Sequence, residues 1–407
     1  MIKRLIYINL WKELSADKQM IFLSGPRQVG KTTLAKEIAK EFKNNIYFNW
    51  DVLEYKKLLI KNPTFFEDIN RQDESMPIVI FDEIHKYKHW KNYLKGIYDQ
   101  FASDYKFLVS GSGRLDLYQK GGDSLAGRYF QFHLFPFTVA ELSGRKRNFN
   151  EFIKTPITNF DINDKKSTQK IWQTLFNIGG FPEPFVKGTD TFFIKWIKNY
   201  ASQIIREDIR SIYDIKNIDN IELLFTFLPS KVGSPLSINN IAQELQVSFE
   251  SVKEWLKLFE VFYLTFRVGP WTRKISRAIL KEKKLYLFNY PEIEDESYKF
   301  ENMVALEFLR AIYSWNEYGY GKFTLHYIRN KEKEEVNFLI ANNNVPIILI
   351  ETKLSDDKPA KNLIKFQKIL NIPAVQLVNK EGIFKYIKND KNKVLIVTAR
   401  RWLSSLP

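Results

Sequence analysis

The run Gly25-Pro26-Arg27-Gln28-Val29-Gly30-Lys31-Thr32 has the spacing G-x-x-x-x-G-K-[ST] and is followed by Thr33. Glycines at those two positions let backbone N–H groups close around phosphates, and a helix opening at Lys31 adds the positive end of its dipole. Lys31 would then reach the β- and γ-phosphates, and Thr32 would offer its hydroxyl to Mg²⁺. A second run, Ile78-Val79-Ile80-Phe81-Asp82-Glu83, is four apolar residues ending in two acids. Asp82 at the carboxyl end of such a strand is placed to support a metal beside the phosphates. Glu83 is the natural base or orienting group for an attacking water. The two runs together predict hydrolysis of ATP, with Mg²⁺ as cofactor, and ATP and ADP as ligands.

These residues need a sheet to hold them. Met20–Leu23, Ile46–Phe48, Ile78–Phe81, Phe107–Val109 and 129–134 read as short, nearly continuous apolar strands, and Thr32–Phe42 and Tyr87–Phe101 carry helical spacing. Apolar strands alternating with helices predict an α/β core with a parallel sheet covered on both faces. One strand between the two motifs and another after them fits the ATPase branch that uses a catalytic Glu. Beyond 150 the pattern changes. Residues 168–228 are mostly helical in period, broken at Gly179-Gly180-Phe181-Pro182. Two short helices joined by a tight turn (238–259), followed by apolar runs, read as a winged helix-turn-helix. From about 296 a helix, three strands, a helix and a strand make a second α/β unit, with 331–335 as a solvated hairpin turn. The spans expected are 1–150, 151–230, 231–290 and 291–407.

Composition bounds the class. The chain has 407 residues, 44% hydrophobic and 27% charged, with no apolar run long enough for a membrane span. The N-terminus lacks the apolar core of a signal peptide. No cysteine is present, which excludes disulfides and thiolate metal sites. A cytoplasmic location without membrane partners is the expectation. The net charge of +15 favours polyanions such as DNA, or it reflects no more than a lysine-rich surface.

GPRQVGKTT, IVIFDEIHK, LVSGSGRL and LAGRYFQFHLFPFTVAEL, with GGFPE, IIREDI, FENMVALEFLR and EVNFLI…IETK, together resemble a family. It is the group of prokaryotic AAA+ ATPases in which a P-loop NTPase (AAA+/ASCE) core precedes a helical lid, a winged helix and a restriction-endonuclease-like (PD-(D/E)xK-like) α/β domain of undefined role. The resemblance implies that Ser110 or Ser112 touches the γ-phosphate or the water. Arg128 is compatible with an arginine finger or with a structural ion pair. Gly180 and Pro182 match an element set against adenine in related ATPases, and would equally form a helix-breaking loop. Arg206 and Asp208 fit sensor roles or an exposed charged helix face. Homo-oligomers are frequent in such proteins.

In the nuclease-like domain, the resemblance points to Glu301, Glu351 and Lys353, with Gln376 on a later strand. Glu351 and Lys353 are two apart and so share a strand face. The first acid of the pattern is replaced: Asn337 stands in Glu335-Val336-Asn337-Phe338 where the family has Asp. A lost ligand charge weakens a hard Mg²⁺ site, so a degenerate nuclease site without cleavage is expected. The presumed second helix of the winged helix carries two acids and only two lysines over 250–257, and 271–277 is the richer candidate for phosphate contact or, equally, an ordinary solvated hairpin. Two functional readings follow. One is an ATPase coupled to DNA binding or processing; the other is a nucleotide switch that binds protein partners in signalling or defence.

Overall fold

The computed structural model describes residues 2–111, 125–144, 147–158, 166–210, 218–272, 282–389 and 392–407. The chain divides into two compact units, Met1–Phe135 with Val261–Tyr263, and Pro136–Glu260 with Leu264–Pro407.

The first unit is built on five strands: β1 (Met20–Ser24), β2 (Asn45–Asn49), β3 (Ile78–Asp82), β4 (Lys106–Ser110) and β5 (Tyr129–His133). Every pairing is parallel and the order is β2-β3-β4-β1-β5. The predicted parallel α/β core is therefore present. Parallel neighbours need crossovers, and helices α1 (Leu5–Asp17), α2 (Lys31–Ala39), α3 (Leu53–Lys61) and α4 (Trp90–Phe101) accompany them. β1 and β3 are wholly buried, which is why they read as unbroken apolar runs. On one face Phe22, Phe48, Phe66, Phe81 and Phe107 form a single core with Leu94 of α4. The rings of Phe48 and Phe81 meet edge-on at 5.8 Å, and those of Phe81 and Phe107 stack at 6.3 Å.

β4 lies between the strand that feeds the phosphate loop and the strand that ends in Asp82. The sequence shows only chain order, so this insertion is a tertiary fact. β1 has β4 on one side and β5 on the other, so its carboxyl end opens into the crevice where α/β sheets hold ligands.

The second unit begins with α5 (Val139–Ser143) and α6 (Phe149–Lys154). Next come α7 (Lys166–Ile178), α8 (Pro182–Lys187), α9 (Asp190–Gln203), a π-helical turn Ile204–Ile209 and α10 (Ile218–Phe227). α11 (Ile238–Glu244) and α12 (Phe249–Val261) then lead into β6 (Thr265–Pro270), antiparallel to β7 (Lys284–Leu287). After α13 (Glu296–Glu317) come β8 (Phe323–Arg329), β9 (Glu335–Asn342) and β10 (Val345–Lys353). α14 (Lys361–Leu370), β11 (Ala374–Val378), β12 (Phe384–Asn389), β13 (Asn392–Thr398) and α15 (Ala399–Leu403) complete the unit.

The helix pair and antiparallel strands of 231–290 occur in the order the sequence predicts. They do not form a sheet of their own. β6 pairs with β8 at Gly269–His326 and Pro270–Tyr327, which joins β6 and β7 to one eight-stranded sheet with β8–β13. The division at Phe135/Pro136 likewise falls inside the span 1–150. No helix among the described residues is long and apolar enough to cross a membrane.

Candidate functional site

Gly25 takes φ +145°, and a β-carbon there would lie 2.3 Å from the carbonyl oxygen of Leu134. Only glycine lets the loop pass that close to the chain leaving β5. Gly30, at φ 98°, sits in the left-handed region as the N-cap of α2. Val29 is fully buried and anchors the loop from below, whereas Gln28 is exposed and left-handed at φ 60°. Arg27 is half-buried and Pro26 buried. Lys31 is buried, and its Nζ donates to the carbonyl oxygens of Gly25 (3.0 Å) and Pro26 (2.6 Å). Thr32 and Thr33 are exposed on the first turn of α2, where N–H groups have no intrahelical acceptor.

Asp82 is buried and its carboxylate gathers three hydroxyls. Thr32 Oγ1 donates to Oδ2 at 2.6 Å, Tyr47 OH donates to the same oxygen at 2.7 Å, and Ser110 Oγ donates to Oδ1. The geometry therefore brings together Lys31, Thr32, Asp82 and Ser110 from three separate segments of the chain. Ser112 lies outside the described residues. An oxygen pair from Thr32 and Asp82 is the hard donor set that Mg²⁺ prefers, so the residues present fit that ion. Among the described residues no group of three or more His, Cys, Asp or Glu side chains makes a metal cage.

Glu83 follows in the left-handed region at φ 56°. A side chain seldom adopts that conformation, and such strain clusters where a fixed direction is needed. Its N–H donates to the carbonyl oxygen of Ser110 at 2.9 Å, and its carboxylate lies 3.1 Å from Lys86 Nζ. Lys86 also holds Asp51 at 2.6 Å. Burial works against the Lys86 charge, but Glu83 and Asp51 more than offset it and raise its pKa.

The sequence reading missed two residues here. Tyr47 had no signal beyond its place in an apolar strand. Burial, and then its bond to Asp82, push its pKa well above the usual phenol value. Arg4 is buried; Nη2 donates to the carbonyl oxygen of Phe135 at 2.7 Å and Nη1 to that of Val29 at 3.4 Å. It ties the phosphate loop to the chain beyond β5.

Arg128 lies away from the phosphate loop of its own chain. It precedes Tyr129, which pairs with Met20, at the amino edge of the sheet. The phosphate loop leaves the opposite edge, four residue steps or about 13 Å along the strands. Arg128 instead binds Asp99 in α4 through two bonds of 2.6 and 3.0 Å. The ion pair that the sequence allowed is present, and a finger role would be exerted on a neighbouring chain. Arg206 is likewise paired, with Glu222 at 2.5 Å and Asp219 at 3.1 Å. Gly180 and Pro182 belong to the second unit. A β-carbon on Gly180 would lie 2.2 Å from the carbonyl oxygen of Phe137, and Pro182 opens α8.

Residues 17–143 match the family described as an AAA domain. The matched segment holds the phosphate loop and the parallel five-stranded sheet. Residues 169–290 match a domain of unknown function, DUF8612. An uncharacterized protein of Methanocaldococcus jannaschii, MJ1637, is 25% identical over 297 residues, covering 67% of this chain and 61% of that protein. An uncharacterized protein of Mycobacterium tuberculosis, Rv2008c, is 20% identical over 268 residues, covering 66% of this chain and 54% of that protein. The chain thus spans less than two thirds of the length of these relatives. The Walker-type ATPase paby2304 of Pyrococcus abyssi superposes with a TM-score of 0.43 at 14% identity, over 72% of this chain and 94% of that one. That overlap is too loose to fix an arrangement of parts.

Outside the AAA domain, the sequence-predicted acids of the C-terminal segment also meet. Asn337 Nδ2 donates to Glu301 Oε2 at 2.7 Å, Asn337 N to Glu351 Oε2 at 3.2 Å, and Lys353 Nζ lies 2.8 Å from Glu351. Gln376 stands in register with Glu351, but its amide is committed to the backbone of Asp356, Lys358 and Ala360. The unforeseen member is Lys284 of β7. It is buried, 3.1 Å from Glu301 and 2.5 Å from Glu335. Burial opposes its charge, yet Glu301 and Glu335 leave its pKa raised. Burial raises the pKa of Glu351, and Lys353 counters it. The carboxylates here are met by two lysine ammonium groups and an amide.

Proposed function

We propose that the AAA domain is a Mg²⁺-dependent ATP hydrolase whose turnover is coupled to DNA binding or processing by the rest of the chain. The observation that carries the hydrolase reading is the bond from Thr32 of the phosphate loop to Asp82, with Glu83 next in a strained backbone turn. On ATP binding, Lys31 exchanges the Gly25 and Pro26 carbonyls for the β- and γ-phosphate oxygens. Backbone N–H groups of the loop and the start of α2 hold the remaining phosphate charge. Thr32 and Asp82 would hold Mg²⁺, which supplies neutralisation of the phosphate charge. Ser110, at the end of β4, fixes the Asp82 carboxylate and would be the residue that senses the γ-phosphate. Glu83 orients the attacking water and accepts its proton, while Lys86 holds the Glu83 carboxylate in position.

Two variants test this. Glu83→Gln should bind ATP as the parent does and turn it over roughly 100- to 10,000-fold more slowly. Lys31→Ala should lose nucleotide binding itself. A Glu83→Gln protein with parental turnover would remove the assigned role of Glu83.

The DNA part rests on the basic net charge and on the helix pair followed by strands in residues 238–287. DNA should raise ATP turnover with a steep loss on adding salt. A rate indifferent to single- and double-stranded DNA at low salt would favour the protein-binding switch instead. The C-terminal cluster is proposed to be structural: Lys284 supplies charge that a divalent ion would bring, and no Mg²⁺-dependent DNA cleavage is expected.

A further inference from the structure

The residue order along α12 offers little reason to expect an anion site, because two lysines and two acids alternate along 250–257. The surrounding fold supplies what residue order does not. Lys253 and Lys257 are four apart and are neighbours on one helix face. Both lysines line a cavity of about 630 Å³ between α11, α12 and the β6–β7 strands. Lys283, just before β7, and Arg267 of β6 enter the same cavity, against a single lining acid, Glu282. Arg267 is held by Glu260 through bonds of 2.5 and 2.8 Å, so the excess charge rests on Lys253, Lys257 and Lys283. All three lysines are exposed. Lys253 pairs with Glu250 at 3.2 Å, in an exposed pair of the kind worth little.

The same cavity carries two further features. Ser237, the N-cap of α11, and Asn239 add polar groups to its wall. Phe249, the first residue of α12, is 40% exposed and lines the cavity with Lys253 Nζ 5.9 Å from its ring. An exposed aromatic face in a cavity wall that also carries three lysines is the combination that single-stranded nucleic acid uses. Charge tracks the backbone and a base stacks on the ring.

We infer that this cavity binds a nucleic-acid strand, with phosphodiesters along Lys253, Lys257 and Lys283 and a base against Phe249. The inference rests on the DNA-coupled reading above and names the surface responsible. A small anion would need only the lysines. A strand uses the exposed ring as well.

The test uses the full chain and a short fluorescent single-stranded oligonucleotide of mixed sequence, titrated at several salt concentrations. Replacing all three lysines (Lys253→Gln, Lys257→Gln, Lys283→Gln) should weaken binding at low salt at least about tenfold. It should also flatten the slope of log K against log salt by about 2, at about 0.7 for each phosphate that is no longer neutralised. Phe249→Ala should weaken binding by about fivefold or more while leaving the slope unchanged, because stacking releases no counterions. All four side chains are on the surface, and thermal melting checks that each variant is folded. If the triple variant binds with parental affinity and slope, the cavity is not the site, although the DNA-coupled reading survives. If the parent protein binds neither single-stranded nor duplex DNA at low salt, that reading fails and the cavity assignment with it. If inorganic phosphate displaces the oligonucleotide as effectively as unlabelled oligonucleotide does, phosphate for phosphate, the cavity is a small-anion site and the strand is overturned.

Discussion

Asp82 shows how much one carboxylate can organise. Its neighbours Thr32, Tyr47 and Ser110 come from a loop-helix junction and from two different strands, and each donates a hydroxyl to it. Thr32 and Asp82 were legible from motif spacing, because a phosphate loop and a strand ending in acid are both local patterns. Tyr47 was not, since a tyrosine in an apolar strand is ordinary until the neighbouring strand is known. Tyr47→Phe removes one of the three donors without changing the ring packing. The lost bond is expected to cost about 0.5–1.5 kcal/mol of ordering at Asp82. We expect a corresponding rise of roughly two- to tenfold in the Mg²⁺ concentration giving half-maximal ATP turnover, with ATP binding in the absence of metal little altered. An unchanged Mg²⁺ requirement would show that Tyr47 contributes packing alone. Arg128 teaches the opposite lesson. Its motif context allowed a catalytic role, but strand register puts it at the wrong edge of the sheet for its own site.

At the scale of elements, α13 contributes more than the helical face foreseen for it. Glu307 on this helix is fully buried and accepts the N–H of Val139, the first residue of α5, at 2.6 Å. Burial pushes its pKa up to about 8, despite that bond and the nearby Arg310. The folded protein therefore keeps a proton on Glu307 that the unfolded chain releases near the ordinary carboxylate value. Between those two pKa values folding takes up a proton, so stability falls as pH rises, by at most about 1.4 kcal/mol per unit. Below the unfolded value the contribution is fully present, and above about 8 the loss is complete. Glu307→Gln keeps a neutral acceptor and should show a flatter profile of denaturation midpoint from about pH 5 to about pH 8. Parallel profiles for parent and variant would mean that Glu307 is charged in the folded state. Helix periods gave most elements of this unit correctly. The late hairpin β12–β13 and the docking of β6 onto β8 escaped, because pairing partners are not written in local periodicity.

For the whole molecule, two compact units predict two unfolding events. A nucleotide that binds the AAA domain alone should move only one of them. At ADP about 100-fold above its Kd, the affected transition should gain about 2.7 kcal/mol, seen by calorimetry as a rise in one Tm. Equal displacement of both transitions, or a single cooperative one, would show that the units unfold together. Spans 231–290 and 291–407 are expected to melt as one, because a shared sheet crosses their boundary.

By itself the sequence pointed to the proposed phosphate site and its chemistry. The glycines are required by local backbone geometry, Lys31, Thr32, Asp82 and Glu83 follow from motif spacing and charge, and apolar runs mark the buried strands of the first sheet. The tertiary structure alone decided which distant groups share a charge. It inserted β4 between the two motif strands and brought Tyr47 to Asp82. It also set Lys284 against Glu301 and turned the scattered cations Lys253, Lys257 and Lys283 into one cavity wall. The reason is physical: strand order, register and helix facing are fixed by packing between segments far apart in the chain. Burial and pairing of charge follow from that packing and not from neighbours in sequence.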